Sequence, residues 1–114
     1  MKIDVQARRF TLTHGLRAAV QREIERLAQA AGPRITRISV RLFDVNGTRG
    51  GLDKGCLVHA HFDDGRSIVG TDVDSDLYRS VNSAFDKLLR SHRSSVSRRQ
   101  ARRRTLLRPT LVTA

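Results

Sequence analysis

The residues best placed to do chemistry in this sequence are arginines. From Ser94 the chain reads Ser-Ser-Val-Ser-Arg-Arg-Gln-Ala-Arg-Arg-Arg, ending at Arg104. Lys87, Arg90 and Arg93 come just before it. Guanidinium groups in such density neutralise phosphates and release counterions, which is the main source of nucleic-acid affinity. Of 22 basic residues 19 are arginine, whose planar fork suits phosphate and stacks on unpaired bases. The plainer alternative is a solubilising tail. Nine like charges with no acid over residues 87–114 favour a polyanionic partner instead.

Other chemistries fit less well. Cys56, His59 and His61 suggest a metal site, with His14 or His92 as a fourth ligand. On one strand, however, positions 59 and 61 share a face and 56 points to the other, so a tetrahedral site is not expected. The reading is a buried cysteine, two exposed histidines, no metal and no cofactor. Asp63-Asp64 sits beside Gly65 as turn chemistry. Asp72, Asp74 and Asp76 surround a helix start, where capping and the helix dipole explain them. Gly47-Thr48-Arg49-Gly50-Gly51 lacks the Gly-Lys-Ser/Thr of a phosphate loop. It is either a linker or an RNA contact through Arg49 and Lys54. No catalytic residues are assigned, and the expectation is not an enzyme. The five aromatic residues offer no stacking platform, so shape and phosphate recognition is expected over single-strand readout.

The elements that must position these residues follow from periodicity. Ile3, Val5 and Ala7 alternate with Lys2, Asp4, Gln6 and Arg8, a half-buried strand. Thr13 is a helix N-cap, and Leu16, Val20, Ile24 and Leu27 share one helical face up to Gly32-Pro33. Ile38, Val40 and Leu42 alternate with Arg37, Ser39 and Arg41 in a second strand. Residues 44–55 read as a loop. Cys56, Val58, Ala60 and Phe62 form the apolar face of a third strand, and Asp63-Asp64-Gly65-Arg66 is a hairpin turn to a fourth over 67–73. Asp74 or Ser75 caps a last helix with Leu77, Val81, Ala84, Phe85 and Leu88 on its apolar side and Arg79, Asp86, Arg90 and Arg93 opposite. The apolar stripe fades after Leu89.

The order β-α-β-β-β-α implies an α+β fold, with two helices packed on one face of a four-stranded, mainly antiparallel sheet. Arg37, Ser39, Arg41, His59 and His61 are left on the open sheet face. Length and composition agree with one domain. The chain has 114 residues, a net charge of +11, and 31 residues of Leu, Ile, Val and Phe, enough for one small core. Residues 1–93 are expected to be an RNA-binding domain and 94–114 a basic tail, either a frayed helix end or a flexible segment that orders on RNA. A single cysteine excludes an internal disulfide. No apolar run approaches membrane-spanning length, and residues 1–6 hold no signal-like stretch, so no membrane partner and a cytoplasmic location are expected.

Several short motifs occur in a fairly specific order. They are Ile35-Thr36-Arg37-Ile38-Ser39-Val40, Asp44-Val45-Asn46-Gly47 with Gly50-Gly51-Leu52-Asp53-Lys54-Gly55-Cys56, Asp76-Leu77-Tyr78, and Asp86-Lys87-Leu88 followed by Arg90. Over residues 1–93 the chain thereby resembles the short ribosome hibernation-promoting and ribosome-associated inhibitor factors, also called ribosomal subunit interface proteins. Where the family often has Ala-Ala-Ile-Asp after the tyrosine, this chain has Arg79-Ser80-Val81-Asn82. The resemblance implies a fold like double-stranded-RNA-binding domains and a partner in the small ribosomal subunit and its rRNA. It implies docking in the mRNA and tRNA channel, with translation blocked in stress or stationary phase. It places rRNA contacts at Lys87 and Arg90. Charge and helix geometry add Arg79, Arg93, Arg98, Arg99, Arg102 and Arg103, with Arg37, Arg41, Arg49 and Lys54 as secondary candidates. No small-molecule substrate is expected, and the chain is read as a monomer. The alternatives are a general double-stranded-RNA or DNA-binding regulatory module, or a protein-interaction module using the open sheet face.

Overall fold

A computed structural model of the chain describes residues 1–8, 11–44 and 54–107, with side chains through Arg102. The elements are β1 (Lys2–Arg8), α1 (His14–Ala31), a 3-10 turn (Gly32–Arg34), β2 (Ile35–Asp44), β3 (Lys54–Phe62), β4 (Ser67–Asp74) and α2 (Leu77–Leu107). The four strands form one sheet in the order β1-β2-β3-β4. β1 runs parallel to β2, and the other two pairs are antiparallel. The sheet is therefore mixed but mainly antiparallel. The parallel pair is made possible by α1, which carries the chain back to the start of β2.

The strands alternate as their sequences require. Ile38, Val40, Leu42, Cys56, Val58, Ala60 and Phe62 are buried under the helices. They meet Leu16, Val20, Ile24 and Leu27 of α1 and Val81, Ala84, Phe85, Leu88 and Leu89 of α2 in a single core. Each fully buried Val, Leu, Ile or Phe among them is worth about 1.5–3 kcal/mol of transfer free energy. The two helices run side by side in the same direction, since the Tyr78 hydroxyl lies near Gly15 and Arg26 reaches Asp86. Gly70 lets α2 approach β4 closely. A Cβ there would stand 2.1 Å from the Ala84 carbonyl oxygen.

Turn chemistry sets the ends. The Thr13 hydroxyl accepts from the Leu16 amide at 3.1 Å, and Gly32 closes α1 at φ +74° with its N–H donating to the Ala28 carbonyl. Gly65, at φ +88°, makes the β3–β4 turn, where the Phe62 amide donates to the Arg66 carbonyl at 2.9 Å.

Two expectations need correction, and one alternative is decided. The cap of α2 is Asp76, not Asp74 or Ser75: its carboxylate accepts from the Tyr78 amide at 2.9 Å, and its carbonyl takes the first helical bond from Ser80. Asp74 instead accepts from the Asp76 amide, two residues too early to cap the helix. Asp44, Lys54 and Gly55 belong to strands and not to a loop, paired as Asp44↔Lys54 and Phe43↔Gly55. The Phe43 ring covers Gly55, where a Cβ would meet ring carbons at 2.1–2.3 Å. Such an aromatic cover restores the packing that a strand glycine lacks. Finally, of the two readings of the tail the helix end is the one seen, since α2 continues past its fading apolar stripe to Leu107. Most of the intervening residues are good or neutral helix formers, and none from Leu77 to Leu107 is glycine or proline.

Candidate nucleic-acid interface

The basic half of α2 lacks an apolar stripe, so something else must hold it. The β3–β4 turn does so through three contacts. The His92 ring stacks on Phe62 with centroids 5.3 Å apart and planes 3° from parallel. Arg66 donates to the Ser95 hydroxyl at 2.9 Å, and Arg99 pairs with Asp64 at 3.3 Å. Arg66 also pairs with Asp64 at 3.0 Å and sets its guanidinium 4.7 Å above the Phe62 ring. Four bonding or charge effects of Arg66 and Arg99 hold the Asp64 carboxyl below its usual range, led by the Arg66 backbone hydrogen bond. The His92 imidazole is pushed down by burial, then by the charges of Arg66 and Arg93.

The sequence-predicted cations fall into distinct groups. Arg90, Arg93, Arg98 and Arg102 are exposed, and among the described residues none has an acidic side chain within 4.0 Å. Arg90 and Arg93 join Arg26, Asp86 and Leu89 around a cleft of about 320 Å³ between the helices. Arg90 and Arg98 share a second recess with Ser91 and Ser94, and Arg98 and Arg102 share a third with Ser95 and Arg99. These four arginines follow one another as a row that winds around the helix over about 18 Å of its length, with Arg93 and Arg102 on opposite sides.

The others are engaged or elsewhere. Lys87 is ion-paired to Asp72 at 2.8 Å. Arg99 turns inward to Asp64, and Arg79 stands 4.0 Å from Asp76 near the start of the helix. Lys54 pairs with Asp44 at 2.9 Å across the ends of β2 and β3. Arg37 and Arg41 lie on the open sheet face, opposite His61 and Leu57 in register, and so are not gathered with the α2 row. Arg49 and the Arg103 side chain lie outside the described residues. Sequence reasoning missed Arg26, Arg34 and Arg66. The register of the two helices places Arg26 against Asp86 at 2.7 Å, and no local spacing signals that. Arg66 reads as a turn residue in the sequence, while its side chain serves α2.

The open sheet face carries a stacked His59–His61 pair, with ring centroids 4.1 Å apart. Burial, then the neighbouring His61, lowers the pKa of His59. Cys56 points the other way, into the core, where burial with the charges of Asp72 and Glu23 pushes its thiol up to about 12. That thiol is a packing group and not a nucleophile. Among the described residues no three His, Cys, Asp or Glu side chains cluster to hold a metal ion. No described helix is long and apolar enough to cross a membrane. What the surface can do is hold an extended array of phosphates.

The family model described as "Sigma 54 modulation protein / S30EA ribosomal protein" matches residues 3–100. The fold is similar to that of a ribosomal subunit interface protein from Coxiella burnetii, at 18% identity and a TM-score of 0.63, over 89% of this chain and 99% of that one. It is similar also to the N-terminal domain of Thermus thermophilus Protein Y, at 21% identity and a TM-score of 0.64, over 80% and 94% of the two chains. No curated protein matches the chain.

Proposed function

Because the chain belongs to the Sigma 54 modulation protein / S30EA ribosomal protein family, we propose that it is a ribosome-associated hibernation factor, a binding protein and not an enzyme. In this reading it docks as a monomer on the small ribosomal subunit, in the mRNA and tRNA channel. There it blocks translation in stress or stationary phase. The mechanism is occlusion assisted by electrostatics. The folded domain fills space that mRNA and tRNA need, and the α2 arginines hold rRNA phosphates.

The observation that carries this reading is the row Arg90, Arg93, Arg98 and Arg102. These cations have no internal counter-charge among the described residues, and they stand on a helix tethered to the domain. An unpaired, preorganised cation releases phosphate counterions without first breaking an ion pair. The two structural neighbours, one of them a ribosomal subunit interface protein, support the same partner. Cytoplasmic location follows from that partner.

The test is sedimentation of the protein with purified ribosomal subunits at physiological salt, with excess duplex RNA as competitor. Co-migration with the small subunit near one-to-one, resistant to the competitor, is expected. Transfer to the competitor would refute ribosome-specific docking and leave a general RNA-binding domain.

A further inference from the structure

Beneath the α2 extension lies a second cationic feature, unlike the outer row. Arg34, Arg66, Val96, Arg99 and Gln100 line a cleft of about 360 Å³. It is built from three parts of the fold: the turn after α1, the β3–β4 turn and the inward face of α2. Its size lies at the lower end of small-molecule sites. Arg90 and Arg99 are nine residues apart, which at about 100° per residue puts them on opposite sides of the helix. The cleft thus faces away from Arg90, while Arg99 also borders the recess that holds Arg98 and Arg102.

Its charge is specific. Three guanidinium groups carry +3, and Asp64, bonded to Arg66 at 3.0 Å and to Arg99 at 3.3 Å, returns one negative charge. The remainder is +2. Arg34 has no acidic partner among the described residues, and its carbonyl accepts from the Asp63 amide, so its backbone is fixed to the same turn. Arg66 is held by Ser95 and by the Phe62 ring, so much of its ordering cost is met before any ligand arrives. An internal phosphodiester carries a single negative charge. A phosphate monoester carries about −1.5 to −2 at neutral pH and three strong acceptor oxygens. Only the monoester matches both the residual charge and the number of arginine forks.

We propose that the cleft lined by Arg34, Arg66 and Arg99 is a receptor for a phosphate monoester, presented by a free nucleotide or by the 5′ end of an RNA. Asp64 occupies the Arg66–Arg99 fork as an internal anion and sets the affinity. The site does not depend on ribosome docking, and the assay contains no ribosome.

The experiment is titration of the full chain, by calorimetry and amide chemical shifts, at constant ionic strength. The probes are AMP, adenosine, and one short RNA with either a 5′-phosphate or a 5′-hydroxyl. AMP is expected to bind and adenosine not to, or the 5′-phosphate RNA to bind more tightly than its 5′-hydroxyl twin. The first result assigns the site to free nucleotides and the second to RNA ends. In either case Arg34→Gln and Arg99→Gln should weaken the phosphate-dependent binding about tenfold or more. Asp64→Asn should tighten it, and Arg17→Gln, on the exposed side of α1, should leave it unchanged. Arg34→Gln decides the matter even where Arg99→Gln loosens the helix, because Arg34 is exposed. If no probe distinguishes phosphate from hydroxyl, or if the preference survives Arg34→Gln, the proposal is overturned.

Discussion

Replacing Arg90, Arg93, Arg98 and Arg102 together by Gln should change the salt dependence of RNA binding far more than replacing Lys87. Each unpaired cation that meets a phosphate contributes about 0.7–0.9 to the slope of log K against log salt. Four such residues, with no acidic side chain within 4.0 Å among the described residues, account for a slope of about 2.8–3.6. Between 50 and 200 mM salt that slope corresponds to roughly a 50- to 150-fold change in affinity, which the fourfold variant should no longer show. Lys87 already has a counter-charge in Asp72 at 2.8 Å. To reach a phosphate it must first leave that pair, so Lys87→Gln should lower the slope by much less than one unit. Asp72→Asn should restore a full contribution from Lys87. The assay is equilibrium binding of small-subunit rRNA, or of the intact subunit, at four or five salt concentrations. Gln has nearly the helix propensity of Arg, and circular dichroism checks that α2 persists. A Lys87→Gln effect equal to that of Arg90→Gln would refute the inference that internal pairing sorts these cations. An unchanged slope in the fourfold variant would remove the α2 row from the interface altogether.

Three further outcomes are expected. Gly70→Ala, whose Cβ would fall 2.1 Å from the Ala84 carbonyl oxygen and 2.9 Å from the Leu88 Cβ, should cost about 1–3 kcal/mol and lower Tm by about 4–12 °C in thermal melts. His59 and His92 have folded pKa values below their unfolded ones, so the unfolded chain binds more protons on acidification. Stability should therefore fall as pH drops below about 6.5, and His92→Phe should flatten that part of a Tm-versus-pH curve. The Cys56 thiol, fully buried and pushed up to about 12, should resist a thiol reagent in the native state and react at the rate of unfolding.

Most of the architecture was legible because it rests on local periodicity. The alternation around Ile38, Val40 and Leu42, the α1 stripe from Leu16 to Leu27, and the Asp63–Arg66 turn all appear where spacing and turn chemistry place them. Two of the differences have one cause. Gly55 looks like a loop residue until Phe43 is known to lie across it. The α2 extension looks unsupported until the β3–β4 turn is known to reach it. Both supports are tertiary, between residues far apart in the chain. The basic character of the site was visible in composition. Its division into free and engaged cations was not, since Lys87–Asp72 and Arg99–Asp64 join residues 15 and 35 positions apart.

That division explains how one helix can be both a core element and a polyanion ligand. Up to Leu89, α2 is held by buried apolar side chains. Beyond that point its charges repel one another, and a helical segment of this length without packing is marginal in water. Asp64, Asp72 and Asp86 meet the cations that point toward the fold or along its flanks: Arg99, Lys87 and Arg26 of α1. Each pair removes repulsion where it would loosen the packing. Arg90, Arg93, Arg98 and Arg102 are left to solvent, where their mutual repulsion is screened but not cancelled. A phosphate array removes that remaining repulsion. Binding should therefore stabilise the end of α2 as well as the complex, and the same charges that make the free helix costly give the bound one its affinity.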